Sequence, residues 1–368
     1  MPVGLRFLWS KTDVHAARIY DRTLTLGSRI TLLMLIAIAG LFYVKWMPYY
    51  HKGLLAASNH SIGKSILMGT AAQVPSASWH SALDYGLAYW KAIWQAMILG
   101  LLLGSAIQEF APRAWIARRL GRSDFRSVTL GGLLAMPAMM CTCCAAPVVI
   151  GLRRANTSAA AAVAFWLGNT VLNPAALVFM GFVLGWKWAG LRLAVGIPLV
   201  FGTGYLINYL ARSGDIALLR KQLSQAVAES ESRTPSIRGW LKRFATLALG
   251  LIPEYLILVL LLGAARAWLF PTVGPTVDNE LQWIVLMAAA GLLFVIPTAG
   301  EVPIVQAMLA LGVGAGPAAA LMMTLPPVSL PSLVMTRSVF TARLLAVVCV
   351  VVFVTGVIAG LIAIRLHF

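Results

Sequence analysis

The chain has 368 residues, of which 60% are hydrophobic and only 11% charged, and its mean hydropathy is +0.84. That balance excludes an ordinary soluble domain and defines an all-α, polytopic membrane protein in contact with the lipid bilayer. The net charge of +17 does not signal nucleic acid, because the basic residues are spread over short loops and helix ends, as positive-inside topology requires.

Residues 1–29 are mixed and amphipathic, with Arg6, Lys11, Arg18, Arg22 and Arg29. They lack the short apolar core and small-residue cleavage site of a removed signal, and read as a cytoplasmic segment. A first transmembrane helix is expected over 30–50. Residues 51–90 form an extracytoplasmic segment, in which His60-Ser61-Ile62-Gly63-Lys64-Ser65 lacks the spacing of a phosphate loop. Residues 91–211 form a first repeat containing a cysteine hairpin, 212–243 a charged cytoplasmic linker, and 244–368 a second, inverted repeat. Four cysteines, three of them within four positions, are no disulfide framework. Cys349 reads as a small apolar residue.

The cytoplasmic side follows from the Lys and Arg residues. If every apolar run crossed once, the tally would be 15 against 14, which is no bias. If Ser127–Leu152 instead enters from the cytoplasm, breaks near the cysteines and returns, 21 of the 29 fall inside, as the positive-inside rule demands. Each arm of about 12 residues is roughly 18 Å long, enough to reach the middle of the hydrocarbon core. The halves also resemble one another: Leu101-Leu102-Leu103-Gly104 with Pro112 matches Leu260-Leu261-Leu262-Gly263 with Pro271 at a constant offset of 159. Between Pro271 and Gly316 there is no Lys or Arg, so the second half is expected to face the other way. Inverted repeats with broken helices meeting near the midplane are a transporter architecture.

Backbone that leaves the helix at membrane depth must line a cavity or be buried in protein. Two such breaks carry the chemistry. The first is Cys141-Thr142-Cys143-Cys144-Ala145-Ala146-Pro147, where three soft sulfurs are expected to converge on a soft substrate. The second is Pro297-Thr298-Ala299-Gly300-Glu301-Val302-Pro303. An intramembrane carboxylate is costly and functional by default, so Glu301 is the candidate for proton coupling, with Glu254 a second, and Thr298 a substrate contact beside it. Asn169 and Asn173, four apart and therefore on one helix face, are expected either to line the pathway or to join helices. Tryptophans such as Trp46 and Trp186 read as interfacial anchors. Catalytic residues, resident metal and cofactor are not expected.

The cysteine motif, with Gly151-Leu152-Arg153-Arg154, the Ala-rich run to Phe165 and Asn173-Pro174-Ala175-Ala176, resembles the permease family that includes the trivalent organoarsenical efflux permeases. The likeness extends loosely from Trp90 onward. The family pattern has a cysteine pair ahead of the proline, which matches Cys141 with either Cys143 or Cys144. The resemblance implies a multi-pass inner-membrane secondary transporter, with a small-molecule or metalloid substrate and room for a homo-oligomer. It points to export of trivalent organoarsenicals. A carrier of reduced sulfur compounds such as thiosulfate is the alternative within the class. A membrane thiol-redox protein, for which Cys141 and Cys144 have the right spacing, is the alternative outside it.

Overall fold

The computed structural model describes residues 25–67, 78–122, 124–210, 235–270 and 274–368. The N-terminal segment to residue 24, residues 68–77 of the expected extracytoplasmic segment and 211–234 of the expected linker lie outside the described residues. Every regular element described is a helix, and six helices are long and apolar enough to cross a membrane.

The first, α1 (Leu26–Asn59), passes through a π turn at Phe42–Trp46. The turn has a local cause. Pro48 has no N–H to donate, and the Met47 N–H reaches back five residues to the Phe42 carbonyl, so the helix continues with one residue extra in the turn. Hence α1 runs on to Asn59 rather than ending near Tyr50. Next, α2 (Trp79–Phe110) starts inside the segment that the sequence assigned to an extracytoplasmic loop.

The rest of the first half comprises α3 (Arg113–Arg119), α4 (Phe125–Ala135), α5 (Thr142–Arg154), α6 (Ala159–Val171), α7 (Pro174–Val183) and α8 (Trp186–Leu210). The second half comprises α9 (Ile237–Leu269), α10 (Leu281–Leu293), α11 (Glu301–Ala310), α12 (Ala315–Thr324), α13 (Leu330–Thr336) and α14 (Ala342–Arg365). Apart from α3, which carries Arg113, Arg118 and Arg119, these segments are largely apolar, so composition makes them membrane helices while caps set their ends. Thr25, Ser78, Asp124, Ser158, Asn173, Ser236 and Thr341 each accept a backbone N–H at a helix start, satisfying donors the helix leaves open.

Helices α4 and α5 form a hairpin. The Ser158 N–H at the far end of α5 donates to the Leu120 carbonyl ahead of α4 at 2.8 Å, so both ends of the hairpin return to one place. Helices α10 and α11 repeat the arrangement, with the Gly314 N–H bonded to the Val277 carbonyl at 2.8 Å. The long helices α2 and α9 run antiparallel, for Glu109 meets Arg243 and Ser236 while Gly86 meets Leu260. Within this frame every residue of α6 is buried, whereas α1 lies against the outside with most of its surface uncovered.

Glycines bring α2 and α5 into backbone contact. A Cβ at Gly100 would collide with the Cys144 carbonyl oxygen, and one at Gly104 with that of Pro147. This Gly-x-x-x-Gly pair seats the cysteine helix directly on α2.

Candidate functional site

Two helix breaks face each other at the centre of the bundle. In the first, Met136–Ala138 tightens into a short 3-10 turn, Met139 adopts a left-handed conformation at φ 48°, and Cys141 becomes the N-cap of α5. In the second, Phe294–Ile296 is extended, Ala299 is left-handed at φ 62°, and Glu301 begins α11. Backbone groups freed in these turns find side-chain partners. Tyr85 and Tyr89 of α2 donate to the carbonyls of Val295 at 2.5 Å and Ile296 at 3.2 Å, and Trp46 donates to the Pro137 carbonyl at 2.7 Å.

The three cysteines do not converge. Cys141 and Cys144 occupy the N-cap and third positions of α5, which places their free sulfurs 2.8 Å apart. Cys143 points elsewhere, 3.7 Å from both the Thr142 and Ser329 hydroxyls. Its other neighbour is the buried Tyr255. Among those residues no group of three His, Cys, Asp or Glu is arranged to hold a metal ion. Geometry thus supplies a dithiol rather than a trithiol. One turn of helix puts residues three apart on one side and the residue between them on another.

Facing the dithiol is Thr298, which interacts with Cys141 and accepts a hydrogen bond from Lys45 at 3.2 Å. Lys45 lies in the π turn of α1, is only 4% exposed, and also donates to the Tyr49 hydroxyl at 3.1 Å. Electrostatically it touches both Cys141 and Cys144. In the sequence Lys45 stands at the end of an otherwise uncharged span, inside the helix expected over 30–50.

Glu301 is 1% exposed and ion-paired with Arg192 of α8 at 2.5 Å. Arg192 also donates to the carbonyls of Thr170 at 2.6 Å and Val171 at 3.0 Å, at the break between α6 and α7. One guanidinium therefore closes the open end of α6 and balances the carboxylate at the start of α11, a use that suits its planar fork. By the charge tally Arg192 counts as an outside residue. Asn169 accepts from the Met140 N–H at 3.4 Å and donates to the Phe165 carbonyl at 3.0 Å, tying α6 to the cysteine turn. Asn173 caps α7, while its buried side-chain nitrogen has no partner among the described residues. Glu254 is not brought to this centre; it pairs with Arg337 at 2.5 Å, with 40% of its side chain exposed.

Cys141, Thr298 and Glu301 line one small void with Met140, Thr170, Ile296, Pro297, Ala299 and Pro326. Its volume is about 10 Å³, room for a single water. A much larger cleft of about 860 Å³ lies at the ends of α2 and α9, lined by Gln108, Glu109, Arg113, Arg154, Arg238, Lys242 and Arg243 among others. It is basic, and it meets the cysteine helix only at that helix's far end, Arg154.

Helices of membrane-spanning length, all-α architecture and paired breaks at the centre of the bundle define a multi-pass inner-membrane protein. Residues 93–364 match the model of the ArsP_1 family, described as "Predicted permease". The chain belongs to that family, as its cysteine motif implied. It is 50% identical over 334 residues to UPF0718 protein YraQ of Escherichia coli (strain K12), covering 89% of this chain and 93% of that protein. UPF0718 protein MJ0584 of Methanocaldococcus jannaschii is 34% identical over 132 residues, 34% of this chain and 36% of its own. UPF0718 protein YcgR of Bacillus subtilis (strain 168) is 28% identical over 119 residues, 31% and 39% of the two chains. No solved structure matches.

Proposed function

We propose that this permease is a secondary transporter that exports thiol-reactive trivalent metalloids, with organoarsenicals as its substrates and a proton as the coupling ion. The observation that carries the reading is the Cys141–Cys144 pair, with sulfurs 2.8 Å apart at the centre of the bundle. A trivalent arsenical with one organic group offers two exchangeable hydroxyls, which suits two thiols rather than three. Each sulfur replaces one hydroxyl on arsenic, each thiol proton leaves with a hydroxyl, and two waters are released without any redox step. Thr298 and Asn169 border that centre, and Cys143 and Asn173 are taken as further substrate contacts during transport.

The two halves act as inverted repeats. In support, the order of long helix, hairpin, broken helix and closing helix recurs, α2 and α9 are antiparallel, and the two hairpins close with equivalent backbone bonds. Rocking one half against the other would open the void between Cys141 and Glu301 to one side at a time. Glu301 couples this to protons: a proton on the carboxylate weakens its hold on Arg192, which bonds α11 to the α6–α7 break. Glu254 is kept as a secondary coupling candidate only through its pair with Arg337.

Transport of methylarsenite into everted vesicles tests the reading. Single Ser substitutions at Cys141 and Cys144 are expected to abolish it and Cys143→Ser to weaken it, because a chelate needs both members of the pair. Glu301→Gln is expected to bind substrate but to lose accumulation driven by a pH difference. A triple Ser variant that transports as well as the parent would make the cysteines packing residues. Uptake of thiosulfate in place of methylarsenite would move the substrate class to reduced sulfur compounds.

A further inference from the structure

Lys45 is the charge in this centre that no carboxylate answers. The four ion pairs among the described residues are His80–Asp84, Arg192–Glu301, Arg243–Glu109 and Arg337–Glu254, and none includes it. Its nitrogen instead meets two hydroxyl oxygens, Tyr49 at 3.1 Å and Thr298 at 3.2 Å, and lies 5.3 Å from the centre of the Tyr49 ring. Oxygen lone pairs and an aromatic face are an environment built for an ammonium. Around the void Arg192 and Glu301 are paired, so the rim next to the dithiol keeps the positive charge of Lys45. The turn that presents it is held in place by the neighbouring Trp46, bonded to the Pro137 carbonyl of the first break, while Lys45 itself is bonded to Thr298 of the second. This helix lies outside the residues 93–364 that match the family.

We propose that Lys45 is a charge filter for the thiol site, admitting uncharged trivalent metalloid hydroxides and rejecting soft metal cations that thiols would otherwise bind. The inference rests on the dithiol being the substrate site. A buried positive charge in electrostatic reach of both sulfurs repels an incoming Cd2+, in a medium where such interactions are several times stronger than in water. It leaves the approach of a neutral arsenical almost unchanged. Lys45 selects by its field on the ligand and not by bonding to it, so its removal should change the ratio of two affinities rather than both together.

Binding of phenylarsine oxide and of Cd2+ to the purified full chain, in a Cys349→Ser background, tests the filter. In Lys45→Met the affinity for Cd2+ relative to phenylarsine oxide should rise by about tenfold or more, and in Lys45→Arg the parent ratio should persist. Lys45→Gln keeps hydrogen-bond donors to Tyr49 and Thr298 without the charge, and should behave as Lys45→Met even if the latter folds poorly. An unchanged ratio in folded Lys45→Gln protein overturns the filter alone. Binding of both ligands that survives Cys141→Ser/Cys144→Ser overturns the thiol site beneath it.

Discussion

Replacing Arg192 by Met removes three bonds at once: to Glu301 at 2.5 Å, to the Thr170 carbonyl at 2.6 Å and to the Val171 carbonyl at 3.0 Å. A buried carboxylate left without its cation costs about 3–5 kcal/mol. Each carbonyl left without a donor adds about 1–3 kcal/mol. Protonation of Glu301 relieves part of the first cost, so the expected loss is near the lower end of the total, about 5 kcal/mol. Glu301→Gln keeps shape and an acceptor but removes the counter-charge, for an expected loss of about 2–3 kcal/mol. With both changes no buried charge remains, and the double variant should lose about 2–3 kcal/mol less than the two single losses combined. Equilibrium unfolding in mixed detergent and dodecyl sulfate micelles, followed by tryptophan fluorescence, measures all three. Losses that add within about 0.5 kcal/mol would mean that the two groups are not coupled, and would refute the view that this pair locks α11 to the α6–α7 break.

Gly104→Val should separate α2 from α5, because its Cβ collides with the Pro147 carbonyl, and lower stability by about 3 kcal/mol or more. Gly190→Val, at a position with no neighbour within 4 Å, should change the same unfolding midpoint little. Cysteine-accessibility labelling in a cysteine-free background should place residue 153 on the cytoplasmic side and residues 279 and 314 outside; labelling of 153 from outside alone would sink the re-entrant topology.

Composition by itself determined the class of this protein. Long uncharged runs have few stable homes other than a bilayer, and within a bilayer only backbone that bonds to itself survives, so helices followed from hydropathy alone. The cysteine motif and the intramembrane prolines also marked where those helices break, since Pro cannot donate and sulfur clusters are rare in apolar runs. The family could be read from the same residues. What the sequence left open is which side chains meet. One-dimensional spacing grouped three cysteines, whereas the turn of α5 pairs Cys141 with Cys144 and sends Cys143 towards Ser329. Charge counting put Arg192 outside, because a tally treats each basic residue as a loop label. Only the packing of α1 and α8 against the two breaks gives Lys45 and Arg192 hydroxyls, carbonyls and a carboxylate within reach, and so makes burying them cheaper than leaving the broken helix ends without partners.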